Sequence, residues 1–157
     1  MEQKTGHCPF AAQHDTITGH HPIRIGRSVM NREILRPVLR QAGVSEMPFD
    51  PHVLVASCPC PVDWDAAAFA PEHNRIAISP RKPRLVRTPE DTVALAFDAD
   101  ELSARWKTLT EAGAHWTGAA YVPQIVLGPA PDDLPETCFF SGPILFGPEW
   151  RKTPDCA

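Results

Sequence analysis

Pro51-His52-Val53-Leu54-Val55-Ala56 and Pro123-Gln124-Ile125-Val126-Leu127-Gly128 are the two segments on which the fold turns. Each opens with a proline and a polar side chain, then runs through apolar and β-branched residues suited to a strand. Each also follows a helix end with similar letters. The glycine of Gln41-Ala42-Gly43 stands eight residues before the first proline, and that of Glu111-Ala112-Gly113 stands ten before the second. Helix end, loop, proline and strand, met twice in that order, make an internal repeat.

The order extends upstream of both segments. Residues 23–29 read as a strand. A helix is expected from about Arg32, capped by Asn31, with Ile34, Leu35, Val38 and Leu39 on one face and Gly43 past its end. Pro37 should kink that helix or delay its start. In the second half residues 92–97 form a strand, and Asp98 with Glu101 offers a capping box. Leu102, Trp106 and Leu109 line the helix behind it, Gly113 ends it, and a strand follows over residues 121–127. The pattern predicts an α+β domain of two β-α-β halves, about residues 22–60 and 92–128. Related by a pseudo-twofold, they would join their sheets and leave a central cleft. Residues 1–21 lack an apolar period and read as a tail, leaving 22–157 as one domain.

Composition narrows the classes of function. The chain has 157 residues, 43% hydrophobic and 22% charged, as expected of a globular domain. A formal net charge of −4 fits neither a broad basic nucleic-acid-binding face nor a heavily acidic DNA mimic. No apolar run approaches the roughly 18 residues of a membrane span, and Met1-Glu2-Gln3-Lys4 precedes no signal-peptide core, so a cytoplasmic protein is expected. Five cysteines (Cys8, Cys58, Cys60, Cys138, Cys156) make an odd count, which argues against a disulfide framework. The 18 prolines predict stiff connections. His7, Cys8, His14, His20 and His21 invite a metal in the tail, but zinc sites use tighter paired spacings; no metal and no cofactor are expected.

Several residues invite a chemical role and are weighed against packing. Cys58 is too far from His52 to be activated by it: six residues of straight strand at about 3.3 Å each separate them by roughly 20 Å. Cys58-Pro59-Cys60-Pro61 reads as a strand end. Arg81-Lys82-Pro83-Arg84 and Arg87 form a basic stretch between the halves, by default a solvated linker, alternatively a contact for phosphate or an acidic partner. Trp106 belongs to the helix core. Trp64 and Trp116 fall in loops near the expected cleft mouth, where an aromatic ring either stacks on a nucleobase or simply packs.

Taken together, these features resemble the two-histidine phosphoesterase superfamily, and within it the branch of tailed phages that includes anti-CBASS nucleases, which destroy cyclic oligonucleotide signals. The resemblance covers about residues 23–149. It rests on Arg24-Ile25-Gly26-Arg27-Ser28-Val29-Met30-Asn31, the strand at His52, and Pro61-Val62-Asp63-Trp64. Further on it rests on Leu95, Phe97, Leu102, Arg105, Gly113-Ala114, Tyr121 with Pro123, Gly142-Pro143-Ile144 and Gly147-Pro148-Glu149.

In that family each half carries His-x-Thr or His-x-Ser on its motif strand, and residues two apart on a strand point to one face. One histidine is the general base and the other the general acid, while the hydroxyls hold the phosphate without a metal. Here His52 is followed by Leu54, and the second half has Gln124 and Val126. Glutamine donates hydrogen bonds but exchanges no proton near neutral pH, and losing one acid or base costs about 100- to 10,000-fold. His115-Trp116-Thr117 has the letters of the motif in a loop bracketed by Gly113 and Gly118, with His115 the candidate substitute for the missing histidine.

The resemblance therefore implies a pseudoenzyme and a counter-defence role in a bacterial host cytoplasm. Three functions follow. The first is an inhibitor that binds a bacterial defence protein, in the manner of an anti-CRISPR, anchored by Arg84, Arg87, Trp64 and Trp150 in exposed loops. The second is a sponge for cyclic oligonucleotides, held by His52, Gln124, Trp64, Trp116, Arg81 and Arg84. The third is a residual metal-independent phosphodiesterase. An apolar cleft floor at Leu54 and Val126 disfavours buried phosphate, and tilts the sequence towards the inhibitor.

Overall fold

The computed structural model describes residues 17–116 and 120–153. Of the residues singled out above, His7, Cys8, His14, Thr117, Gly118 and Cys156 lie outside them. The chain forms strands β1 (His20–Val29), β2 (His52–Asp63), β3 (Ile76–Ile78), β4 (Arg81–Arg87), β5 (Thr92–Asp98), β6 (Gln124–Pro129) and β7 (Ile144–Lys152). Helix α1 (Arg36–Ala42) lies between β1 and β2, and helix α2 (Asp100–Glu111) between β5 and β6. The strands make one antiparallel sheet in the order β3-β7-β1-β2-β6-β5-β4. Each helix thus connects two antiparallel strands that are neighbours, and the two such units meet where β2 pairs β6 at Val53 and Ile125. The architecture is mixed α and β on a single sheet.

One face of the sheet carries the core. Ile23, Ile25, Val53, Val55, Leu95, Phe97, Ile125 and Leu127 are buried there in one cluster with Leu35, Val38 and Leu39 of the first helical segment and Leu102 and Leu109 of α2. Arg27 shares this face at 1% exposure. A buried guanidinium needs partners, and it has three: the carbonyls of Asn74 at 2.7 Å and Gly147 at 2.8 Å, and Glu72 Oε1 at 2.9 Å. Nearby, Arg105 forks onto Glu149 at 2.8 and 2.9 Å, and Glu149 also accepts the Glu72 amide at 3.0 Å. These bonds tie the long β2–β3 connection to β7.

Several local expectations are corrected. β1 begins at His20, so His20 and His21 are strand residues and not tail. β2 runs on through Cys58-Pro59-Cys60-Pro61 to Asp63, because β1 continues to pair with it as far as His20 and Asp63. The residues after Asn31 form a tight helical turn, Arg32–Leu35, and α1 starts only at Arg36, the delay expected of Pro37, which sits in its first turn, where the missing N–H costs nothing. Asn31 stands at the N-cap position of this turn, as expected, but its side chain makes no capping bond; it bridges to a distant part of the chain, donating to the Pro143 carbonyl and accepting from the Leu145 amide. Asp98 makes no capping box, since Ala99 is the N-cap and Asp98 faces Arg84. The expected 81–87 linker is strand β4, at the edge of the sheet. β6 starts at Gln124, three residues after Tyr121, whose ring is engaged elsewhere. Among the described residues no helix is long and apolar enough to cross a membrane.

Candidate functional site

The face opposite the core is built by alternation. Val53 and Ile125 are partners and point into the core, so the residues on either side of them point the other way. Antiparallel counting sets His52 opposite Val126 and Leu54 opposite Gln124 on this open face. The rows continue outward. Gln124 pairs with Ala96 and Val126 with Ala94 on β5, while Leu54 pairs with Gly26 and His52 with Ser28 on β1. The floor beside the motif strands is therefore made of small residues. Above it lies a depression of about 790 Å³ lined by Arg24, His52, Leu54, Gln124, Val126 and Trp116, with Pro89, Glu90, Ala120 and Val122.

His52 is held in a defined state. Its Nδ1 lies 2.8 Å from the Asp50 carbonyl, and a carbonyl only accepts, so Nδ1 carries a proton. In the neutral ring Nε2 then has its lone pair free to accept a proton or a hydrogen bond. The edge of Trp150 packs against the imidazole, with centroids 5.4 Å apart and planes at 70°. Trp150 in turn lies over Gly26, where an added Cβ would stand 2.5 Å from its ring. Its indole N–H points to Ser28 Oγ at 3.3 Å. The glycine is needed for this close approach.

Trp116, at the edge of the depression, belongs to an aromatic cluster packed against the core. Tyr121 lies parallel to Trp106 at 5.5 Å, and Trp116 meets its edge at 5.4 Å. The Tyr121 hydroxyl donates to the Leu54 carbonyl at 2.6 Å, joining α2 to the motif strand β2. Burial pushes the phenol's pKa well above its usual value.

The sequence-derived candidates are thus only partly brought together. His52, Leu54, Gln124, Val126 and Trp116 line one depression. His115 is exposed and is not among its lining residues. Trp64 does stand in the turn after β2, but it is buried at 3% exposure, donates to the His21 carbonyl at 3.2 Å and lies under the Arg151 guanidinium, and it does not line the depression. Arg81 and Arg84 stand on the edge strand, paired with Asp100 at 2.6 Å and Asp98 at 3.4 Å. Arg87 is paired with Asp91 and also donates to the carbonyls of Pro131 and Asp132. Trp150 belongs to β7 and is partly buried. None of the four proposed protein-binding anchors therefore sits in an exposed loop.

Sequence reasoning missed Arg24 as a lining residue of the depression, and Ser28 and Trp150 as neighbours of His52. The signal was present in β1, where Arg24, Gly26 and Ser28 alternate with Ile23, Ile25 and Arg27. A second depression of about 760 Å³ adjoins the first and shares Val126 with it; its lining includes Arg32, Met47 and Phe49. Phe49 is 94% exposed and Val126 48%. Among the described residues no group of three His, Cys, Asp or Glu is placed to hold a metal, and Cys58, Cys60 and Cys138 are free thiols.

No family model matches the chain. Among curated proteins, it is 29% identical over 136 residues to the anti-CBASS protein Acb1 of Caulobacter sp. (strain RHG1). The match takes in 82% of this chain but 22% of that much longer protein. Most of the chain is therefore similar to one segment of an anti-CBASS protein.

Proposed function

We propose that this is a phage-derived counter-defence protein whose open-face cleft captures a cyclic oligonucleotide and does not efficiently hydrolyse it. The reading takes β1–α1–β2 and β5–α2–β6 as the two halves of a degenerate two-histidine phosphoesterase fold, related about the β2–β6 pairing. The observation that carries it is the gathering of His52, Leu54, Gln124 and Val126 with Trp116 and Arg24 around one depression. Similarity to an anti-CBASS protein supports the counter-defence role and fits a cyclic-nucleotide ligand.

The chemistry follows from what remains. His52 supplies one proton-accepting nitrogen, and Gln124 supplies amide donors in place of a proton donor. A phosphodiester placed between them would be held and oriented without a second group to protonate the leaving oxygen, so turnover should be lower by at least about 100-fold than with an intact pair. Leu54 and Val126 weaken phosphate binding, which is why the sequence alone tilts to a protein inhibitor. The polar groups around them, and the ring of Trp116, shift the balance towards the nucleotide. The inhibitor stands as a second reading because Phe49 and Val126 expose apolar surface beside the cleft.

Calorimetry with cyclic di- and trinucleotides, with chromatography of the mixtures, tests the proposal. Saturable binding without turnover is expected. His52→Ala should weaken it about 10- to 100-fold if the ring bonds a charged phosphate, and Val126→Trp should abolish it. Absence of nucleotide binding, with stable co-elution of a host defence protein that Phe49→Ser disrupts and His52→Ala does not, would establish the inhibitor instead.

A further inference from the structure

Arg24 and Lys152 are direct cross-strand partners in the β1–β7 ladder. Directly opposed residues share a face of the sheet, and like charges placed so are destabilising. Proteins commonly relieve such a pair with a carboxylate. Among the described residues six other arginines do have one: Arg27 with Glu72, Arg36 with Glu33, Arg81 with Asp100, Arg84 with Asp98, Arg87 with Asp91 and Arg105 with Glu149. Among the described residues no carboxylate is paired with Arg24 or Lys152. Both are partly buried, and Arg24 lines the 790 Å³ depression beside Leu54 and Gln124. Lys152 is held in place through its ammonium, 4.5 Å from the centroid of the Trp150 ring whose edge packs on His52. Among the described lining residues Glu90 is the one carboxylate.

We infer that Arg24 and Lys152 form an anion site on the β1 side of the cleft that receives a phosphodiester of the bound nucleotide. The inference rests on the proposed nucleotide-binding role and gives it a phosphate anchor. The repulsion between the two cations is relieved when a phosphate lies between them, so the cost in the free protein becomes affinity in the complex. A guanidinium supplies the planar pair of donors that suits a phosphate, and the ammonium adds a mobile point charge. The site also accounts for phosphate binding in a cleft where both motif hydroxyls are replaced by Leu54 and Val126: the anion shifts from the centre of the sheet towards β1.

Binding is measured for a cyclic trinucleotide and, separately, for inorganic tripolyphosphate, at several salt concentrations. Arg24→Gln should lower affinity for both about 10- to 100-fold and flatten the salt dependence, while leaving the thermal midpoint unchanged or raised. Arg24→Lys should keep part of the affinity, Lys152→Met should lose less than Arg24→Gln, and Arg75→Gln, in the distant β2–β3 connection, should lose none. Unchanged binding of the cyclic trinucleotide by Arg24→Gln overturns the anion site and leaves the nucleotide role standing. A wild type that binds tripolyphosphate through Arg24 but no cyclic nucleotide keeps the anion site and overturns the nucleotide role. Binding of neither probe overturns both.

Discussion

The two faces of the sheet are written into the same strands, one residue apart, and they differ in kind. On β1, Ile23, Ile25 and Val29 are buried in the common core, and Arg27 is buried with all its partners supplied. Arg24, Gly26 and Ser28, between them, face the cleft with His52. On β5, Val93, Leu95 and Phe97 enter the core, while Ala94 and Ala96 form the small-residue floor. The core face is closed by large side chains, and its buried Arg27 and Glu149 are hydrogen-bonded. The open face carries polar groups and, among the described residues, cations that no carboxylate pairs, Arg24 and Lys152. Stability therefore resides mainly on one face and ligand chemistry on the other, so single substitutions should separate them.

The largest expected effect is on the closed face. Phe97→Ala removes a fully buried ring and should cost about 3–5 kcal/mol, read as a shift of the urea midpoint at constant slope. Gln124→Ala, exposed and one register row away, should stay within about 0.5 kcal/mol yet weaken nucleotide binding. Similar destabilisation by both changes would erase the distinction between the faces.

Gly26 is where the open face is packed as tightly as a core. Gly26→Ala drives a methyl group to 2.5 Å from Trp150 and 2.8 Å from the Val53 carbonyl. It should cost about 1–3 kcal/mol and loosen His52. Adding Trp150→Ala should recover part of the stability, because one of the two obstacles is then gone; no recovery would mean that the backbone contact alone decides.

Tyr121 gives the smallest effect and the clearest pH test. Tyr121→Phe removes the bond to the Leu54 carbonyl and should cost about 1 kcal/mol. The chain has one tyrosine, so its phenolate absorbance is unambiguous. Burial raises the folded-state pKa. Its stabilising contribution is therefore complete below the unfolded phenol's value of about 10 and declines as the pH rises above it. Ionisation should appear only together with unfolding. A phenolate signal at about pH 10 in the folded protein would show that the ring is not buried as described.

The strands at His52 and Gln124 and the helix before each were legible because period-two burial and helix-end glycines are local signals. Trp64 was not: its burial depends on Arg151, far along the chain, whose guanidinium covers the ring. Asn31 misled for a similar reason, since a residue suited to a helix cap instead bonds to residues 143 and 145. The basic stretch at 81–87 looked free until β5 and the start of α2 supplied Asp98 and Asp100. Arg24 was locally legible, on the polar side of an alternating strand, but its importance appears only when Lys152 is set beside it by β7.

The pairing of the first strand with the last also determines how this unit connects to any other polypeptide. β1 and β7 run antiparallel, with Arg24 abreast of Lys152, so the start of β1 and the end of β7 lie towards the same end of the sheet. A unit with adjoining ends can be spliced into a surface loop of a host domain through short linkers, without stretching either partner. Grafted in that way between two strands of an unrelated carrier, it should fold as an autonomous insert and keep its cleft, because that face is built by β1, β2, β5 and β6 with β7 alongside, and β1 starts towards the end of the sheet where β7 stops.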